Sequence, residues 1–280
     1  MKAFPIVITG ASSGIGRAAA LRLARQNYPL VLVCRDGQKA RAAHAEIVRL
    51  TGNRQVSLET ADFSSLQQVR DVAASIRAKH HGISGLINNA GAAFHDRRLS
   101  VDGNELTFAI NHLAPFLLTN LLLELLKEGA RIINVSSDMQ RPLRLDDLAR
   151  TKKYDALQVY GETKLMNLLF TFELARRLAG SRVTANAVAP GFLRSGLMRN
   201  TDARTKVAMF FLSIFVMEPA EKGGDRLVYA ATAPELAGRS GEFLVKDQPG
   251  KAIASAYDRA LAAQLWAISE RLTGLVPVGA

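Results

Sequence analysis

The stretch Thr9-Gly10-Ala11-Ser12-Ser13-Gly14-Ile15-Gly16 joins an apolar run, Ile6-Val7-Ile8-Thr9, to a helical pattern over about Arg17 to Gln26. A strand, a glycine-rich turn and a helix start make a phosphate site. The first N–H groups of a helix have no partner within it, and the helix dipole adds partial positive charge, so a pyrophosphate is stabilised there. Glycines keep a Cβ from standing between main chain and ligand. The spacing is GxxxGxG rather than GxGxxG, and an ordinary strand-to-helix turn is the competing reading. The rest of the chain decides between them.

Outward from this turn, apolar runs alternate with helical patterns. Strands are expected at Leu30–Cys34, Gln55–Glu59, Gly85–Asn88, Arg131–Ser136, Arg182–Ala189 and Gly241–Val245. Helices are expected over about Gln38–Leu50, from a Ser64 cap to Lys79, and over Asp102–Lys127, Tyr154–Leu178 and Ala254–Leu272. Continuous apolar strands separated by helices predict an α/β fold: one doubly wound, seven-stranded parallel sheet covered on both faces, spanning 1–280 as a single domain. In such sheets the ligand lies at the carboxyl ends of the strands, where strand order reverses. Gly10 to Gly16, Cys34-Arg35, Asp62, Asn88-Asn89-Ala90-Gly91, Ser136-Ser137 and Pro190-Gly191 all fall on that edge.

The 36 basic and 25 acidic residues give a formal charge of +11. The basic residues are dispersed and aromatics are few, which argues against a nucleic-acid module. A single cysteine, Cys34, excludes an intrachain disulfide, and the default expectation is a reducing cytoplasm with no secretion. No cluster of histidine, cysteine and carboxylate has metal-ligand spacing. His80-His81 reads as a helix end; His95, Arg97 and Arg98 follow the fourth strand and read as surface-loop residues, with reach to the substrate as the other reading. The apolar run Val207 to Met217 is about half the roughly 20 residues that a bilayer-spanning helix needs.

A carboxylate at the end of the second strand would bind both ribose hydroxyls of NAD and repel a 2′-phosphate. That position holds Cys34, followed by Arg35, whose planar fork suits a phosphate. This favours NADP(H), with NAD(H) as the alternative, because Asp36 can neutralise Arg35 or bind ribose itself.

Tyr160 and Lys164 stand one helical turn apart on one face, after the fifth strand and its paired serines. A phenol is a poor base at neutral pH, and a nearby ammonium favours the phenolate. The Coulomb contribution reaches about 4 kcal/mol at ~4 Å with an effective dielectric of ~20, before screening. That is enough for general acid–base work. Pro115, four residues after Asn111, has no N–H and so removes the usual helical donor to the Asn111 carbonyl, which can then accept from a water. A simple helix kink is the other reading.

Together, Thr9 to Gly16, Asn88 to Gly91, Asn111, Ser137, Tyr160 with Lys164, and Pro190-Gly191 resemble the short-chain dehydrogenases/reductases over nearly the whole chain. Asn111-His112-Leu113, Arg131 to Ser137, Tyr160 to Phe170 and Leu265-Trp266-Ala267-Ile268 look most like the retinol dehydrogenase and WW-domain oxidoreductase branch. The resemblance implies that Tyr160 moves a proton, Ser137 rather than Ser136 binds the substrate oxygen, Lys164 tunes Tyr160 and holds ribose, and Asn111 holds a relay water. It further implies cofactor contacts at Gly10, Ser12, Ser13, Gly14, Ile15, Gly16, Arg35, Asp62, Phe63, Asn89, Ala90, Gly91, Tyr160, Lys164, Pro190, Gly191 and Ser195. The gap of 23 positions from Ser137 to Tyr160 is long for the family, and the retinol dehydrogenase branch carries a similar insertion.

The expected activity is NADP(H)-dependent interconversion of a lipophilic alcohol and its aldehyde or ketone. Reduction of an activated C=C bond on the same scaffold, as in protochlorophyllide reductases, and a cofactor-binding regulatory protein without turnover are the alternatives. Residues 192–218, with Met209-Phe210-Phe211-Leu212 and Ile214-Phe215-Val216-Met217, read as the substrate lid. Flanking Arg194, Arg199, Arg204 and Lys206 make peripheral contact with an anionic membrane a second reading, beside burial in a dimer. Long outer helices commonly build dimers or tetramers in this family.

Overall fold

The computed structural model describes residues 3–35, 37–191 and 218–275. The short apolar runs become β1 Ile6–Thr9, β2 Leu30–Cys34, β3 Val56–Thr60, β4 Ile83–Asn88, β5 Leu126–Val135, β6 Thr184–Ala189 and β7 Phe243–Val245. They pair in parallel in the order β3-β2-β1-β4-β5-β6-β7. An eighth strand, β8 Gln248–Pro249, adds antiparallel to β7, where seven strands were expected. Its turn is Lys246-Asp247, with φ of 49° and 68°. A two-residue strand behind a turn without glycine leaves no pattern in the sequence.

The described helices are α1 Gly14–Arg25, α2 Gly37–Thr51, α3 Leu66–Lys79, α4 Leu106–Phe108, α5 Ala114–Leu122, α6 Ala156–Arg177, α7 Ala220–Thr232 and α8 Arg259–Thr273. Alternate strand residues enter opposite cores, as the two-residue period of a strand requires. Val7, Val31 and Val33 pack with α3, α5, α6 and α8, while Ile6, Ile8, Leu30 and Leu32 pack with α1, α2 and α7. Helix α7 lies close on α1 because Gly224 faces Ala18 and Ala19, where a Cβ would come within 2.6 Å of the Ala18 Cβ. The cap of α3 is Ser65, whose hydroxyl accepts from Gln68 N, and not Ser64 as expected.

The single helix expected over Asp102–Lys127 is broken into pieces. Between α4 and α5 the chain takes a π-helical turn, Ala109–Leu113, in which Ala114 N–H reaches back five residues to the Ala109 carbonyl. Pro115, which has no donor to offer, follows directly, so the next bond of the ladder is missing beside the widened turn. After a 3₁₀ turn, Leu123–Leu125, strand β5 begins at Leu126, five residues before the expected start. The run Leu106–Leu125, 20 residues, holds an 18-residue window of mean hydropathy 1.5 that is apolar enough to cross a bilayer, and 78% of that window is buried inside the protein. It is longer than Val207–Met217, which lies outside the described residues.

Helix α8 covers the outer side of α6 and α5. Trp266 packs between Phe116 (centroids 4.9 Å apart) and Phe170 (5.8 Å), and the Arg177 guanidinium lies 3.9 Å above its ring. Beneath it, His112 Nε2 lies 2.9 Å from Ser269 Oγ. The Ser269 hydroxyl gives its proton to the Leu265 carbonyl, so His112 Nε2 is the donor of this pair.

Burial pushes His112 down to about 3 from an ordinary 6.5, with Asn167 opposing weakly. Between these values the unfolded chain binds one more proton than the folded one, so stability falls as pH drops from about 6.5 towards 3. This group contributes a slope of up to about 1.4 kcal/mol per pH unit. His112→Gln is expected to flatten the loss of the urea midpoint between pH 6 and pH 4. An unchanged pH dependence would place the acid sensitivity elsewhere.

Candidate active site

The strand order reverses between β1 and β4, and the glycine turn leaves β1 at this point. Gly10 and Gly14 have φ of 69° and 56°, a region that other residues enter at a cost. The Asn89 amide reaches across from the end of β4 to bond Thr9 O at 2.8 Å, while Thr9 Oγ1 accepts from Asn89 N and Ala90 N. A Cβ on Gly16 would lie 2.6 Å from Gly10 O and closer still to the Asn89 amide. Gly10 and Gly16 are therefore required first by the packing of Asn89 into the turn. Asn88 is buried and bonds Thr119 and Asn134, a purely structural position.

The start of α1 is open. Its Ser13 makes no side-chain cap, and its first turn carries no acid, whereas α3, α6 and α8 are capped by Ser65, Asp155 and Asp258. N–H donors left uncapped at a turn with no room for side chains fit a pyrophosphate. At the end of β2 the Cys34 thiol is buried, which raises its pKa, and it hydrogen-bonds with Ser12. No carboxylate stands at that position. Arg35 is exposed at the strand end, and the first turn of α2 holds no acid; Asp36 lies outside the described residues.

Along the same edge, Asp62 accepts from Ser64 N and its own N–H bonds Gln68 Oε1. Phe63 points into the core, so this position can meet a ligand through its main chain only. Pro190 O accepts from Arg226 Nη1 at 2.5 Å, and Arg226 also pairs with Glu218. Gly191 has φ 89°. Ser195 lies outside the described residues, as does the expected lid apart from Glu218.

The end of β5 meets α6. Ser136 is buried and donates to the Lys164 carbonyl, whereas Ser137 is half-buried and its Oγ accepts from Met139 N. Lys164 Nζ donates to Val135 O at 3.2 Å and sits 5.2 Å from the centroid of the Tyr160 ring. Burial raises the Tyr160 phenol well above its ordinary value and lowers Lys164 to about 8. The ammonium lies over the face of the ring, and in this geometry burial rather than the lysine governs the phenol, contrary to the sequence-based expectation. Asn111 clasps the loop after β4: Nδ2 bonds Ala92 O and Thr163 Oγ1, and Oδ1 accepts from Ala92 N. A Cβ on Gly91 would stand 3.3 Å from that Oδ1.

Sequence reasoning missed Arg226 with Glu218, the Cys34 bond to Ser12, and buried Glu162. The pairs Arg226–Glu218, Cys34–Ser12 and Arg150–Glu162 each join a helix or strand end to a loop, so no single helical or strand period links the two residues. Among the described residues no group of three or more potential metal ligands occurs.

A doubly wound sheet with a phosphate-ready turn at its switch point, facing a buried tyrosine and lysine, places the molecule in the class of dinucleotide-dependent oxidoreductases. More narrowly, the chain belongs to the short-chain dehydrogenase family, whose model matches residues 5–206, and it is an alcohol/carbonyl oxidoreductase of the NAD(P)-dependent kind. It is 39% identical to Retinol dehydrogenase 13 of Homo sapiens over 282 residues, covering 96% of this chain and 84% of that one. A crystal structure of an uncharacterized protein from Mycobacterium paratuberculosis matches it with a TM-score of 0.79 and 34% identity, over 97% of this chain and 94% of the other. A short chain dehydrogenase from Burkholderia cenocepacia in complex with NADP matches with a TM-score of 0.69 and 25% identity, over 86% and 95%.

Proposed function

We propose that the protein interconverts a lipophilic alcohol and its aldehyde or ketone with NADP(H), Tyr160 carrying the proton. The observation that carries this reading is the buried corner where Lys164 lies over the Tyr160 ring and bonds the end of β5, beside the half-buried hydroxyl of Ser137. The relative named for retinol supports a lipophilic substrate.

In this reading Gly10, Ser12, Ser13, Gly14, Ile15 and Gly16 present the open end of α1 to the pyrophosphate, and Arg35 takes the 2′-phosphate. Asp62 and the main chain of Phe63 meet adenine. Asn89, Ala90 and Gly91 shape the adenosine side, while Pro190 and Gly191, with Ser195 beyond them, bound the nicotinamide side. The bound nicotinamide supplies or takes the hydride.

Tyr160 Oη gives a proton to the substrate oxygen in reduction and recovers it in oxidation. Burial keeps the phenol protonated at neutral pH, so the proton that reduction consumes is on Tyr160, while the same burial makes it a weaker acid than a free phenol. Ser137 Oγ, which has no backbone carbonyl to serve, turns to the same oxygen, whereas Ser136 is already engaged. Lys164 binds ribose and, still mostly charged at pH 7, holds the site's positive potential. The Asn111 side chain is fully engaged, so its carbonyl, facing a proline without an N–H, is the acceptor for a relay water.

Parallel fluorescence titrations of NADPH and NADH test the cofactor assignment. NADPH is expected to bind more tightly, and Arg35→Ala to weaken NADPH about 10- to 100-fold, as for loss of a charge-assisted hydrogen bond, with NADH little changed. Equal weakening of both cofactors would remove Arg35 from phosphate recognition, and binding of neither would overturn the oxidoreductase mechanism proposed here.

A further inference from the structure

The loop that leaves β5 at Ser137 returns to the chain at Asp155, the cap of α6. Its side chains converge on one face of α6. Arg141 N bonds the Gly161 carbonyl at 3.2 Å, and a Cβ on Gly161 would fall 2.6 Å from Met139 O and closer still to the Arg141 side chain. Gln158 Nε2 bonds Pro142 O. At the centre stands Glu162, a carboxylate with 0% exposure, which receives Arg150, Arg144 Nε at 3.2 Å and Gln158 Nε2 at 2.7 Å.

Arg150 is itself 2% exposed. It is held in the left-handed region, φ 55°, by a turn in which Arg150 N bonds Asp147 O and Asp147 accepts from Thr151. An arginine is kept in a backbone conformation it disfavours only where the surroundings compel it, and here the compelling partner is Glu162. Two positions along a helix are about 200° around it, so Glu162 faces the loop while Tyr160 and Lys164, on the opposite side, face the cleft. The near end of the loop is fixed to Ser137 itself, through Met139 N to Ser137 Oγ and Gln140 Nε2 to Ser137 O.

We propose that Glu162 is a positioning residue: with Arg150 and Arg144 it docks the loop that follows Ser137 onto the tyrosine helix and thereby fixes the Ser137 hydroxyl relative to Tyr160. This inference rests on the roles proposed above for Ser137 and Tyr160. Reacting groups displaced by ~1 Å lose about 10²-fold in rate, so a loosened dock reads out in turnover rather than in cofactor affinity, because the cofactor turn lies on β1.

The test is a double-mutant cycle in the full chain, read at a temperature well below each variant's melting point with NADPH and a lipophilic aldehyde. Glu162→Gln keeps size and loses charge; kcat is expected to fall 10- to 100-fold with the NADPH Kd unchanged within twofold. In a Ser137→Ala background the same change is expected to cost less than threefold, because the group it positions is gone. Arg144→Ala, an exposed change that removes one donor, is expected to lower kcat several-fold with the same loss of effect on Ser137→Ala, and it decides the matter should Glu162→Gln fail to fold. A lowered melting point with full turnover, or a full loss persisting without the Ser137 hydroxyl, overturns the proposal. Undiminished turnover in Ser137→Ala alone would instead remove the reading of the site on which it rests.

Discussion

Tyr160→Phe is expected to lower kcat by about 10³-fold, inside the range assigned to a single acid–base group, while NADPH binds as before. The substitution removes one oxygen and keeps the ring, so the contact with Lys164 Nζ at 5.2 Å and the surrounding packing survive. What disappears is the proton donor. Because burial holds the phenol neutral, the loss should be felt directly in aldehyde reduction near neutral pH. Steady-state turnover and a fluorescence titration of NADPH on the same preparation separate the two effects. Turnover at the original rate would take Tyr160 out of the mechanism.

Gly16→Ala is expected to damage both stability and cofactor binding through a single methyl. Its Cβ would press on Gly10 O at 2.6 Å, a main-chain atom with nowhere to go, and on the Asn89 amide that bonds Thr9 O. Overpacking of this kind costs about 1–3 kcal/mol, and relief comes only by opening the turn that offers N–H groups to the pyrophosphate. NADPH affinity is expected to fall more than about 100-fold, beyond the stability loss, when charge-assisted bonds to phosphate are lost together. Gly52 makes the contrast: its φ is 70° with nothing within 4 Å. Gly52→Ala should therefore cost about 1–2 kcal/mol of backbone strain and leave NADPH binding alone. If Gly16→Ala binds NADPH normally, the turn has slack that the distances deny.

The central strands were legible because a parallel sheet covered on both faces demands apolar runs: Leu30–Cys34 carries nothing else, and Ile6–Ile8 is apolar up to Thr9. The chemistry at the edge was legible for a related reason: Tyr160 and Lys164 are joined by helical spacing, and Gly10 to Gly16 by a single turn. The break at Ala109–Leu113 was not legible, since Pro115 announces a lost donor without saying how the helix accommodates it. Nor were the ion pairs of Arg226 with Glu218 and Arg150 with Glu162. In a sequence these arginines look like any of the 36 basic residues, and burial is conferred on them by loops without periodicity. The direction of the Tyr160 shift was misjudged for the same reason: spacing placed the lysine near the ring but could not weigh its charge against the cost of burying the phenol.

The helix α8 laid over α5 and α6 has a consequence for how this half of the core responds to dilution. An aromatic face closed by a second subunit is only as secure as the protein concentration allows. Here the closing surface, Trp266 against Phe116 and Phe170 with Ser269 on His112, is tethered to the same chain, so its effective concentration is set by the linker. The helix that carries Tyr160 is therefore braced equally well at nanomolar and at micromolar protein.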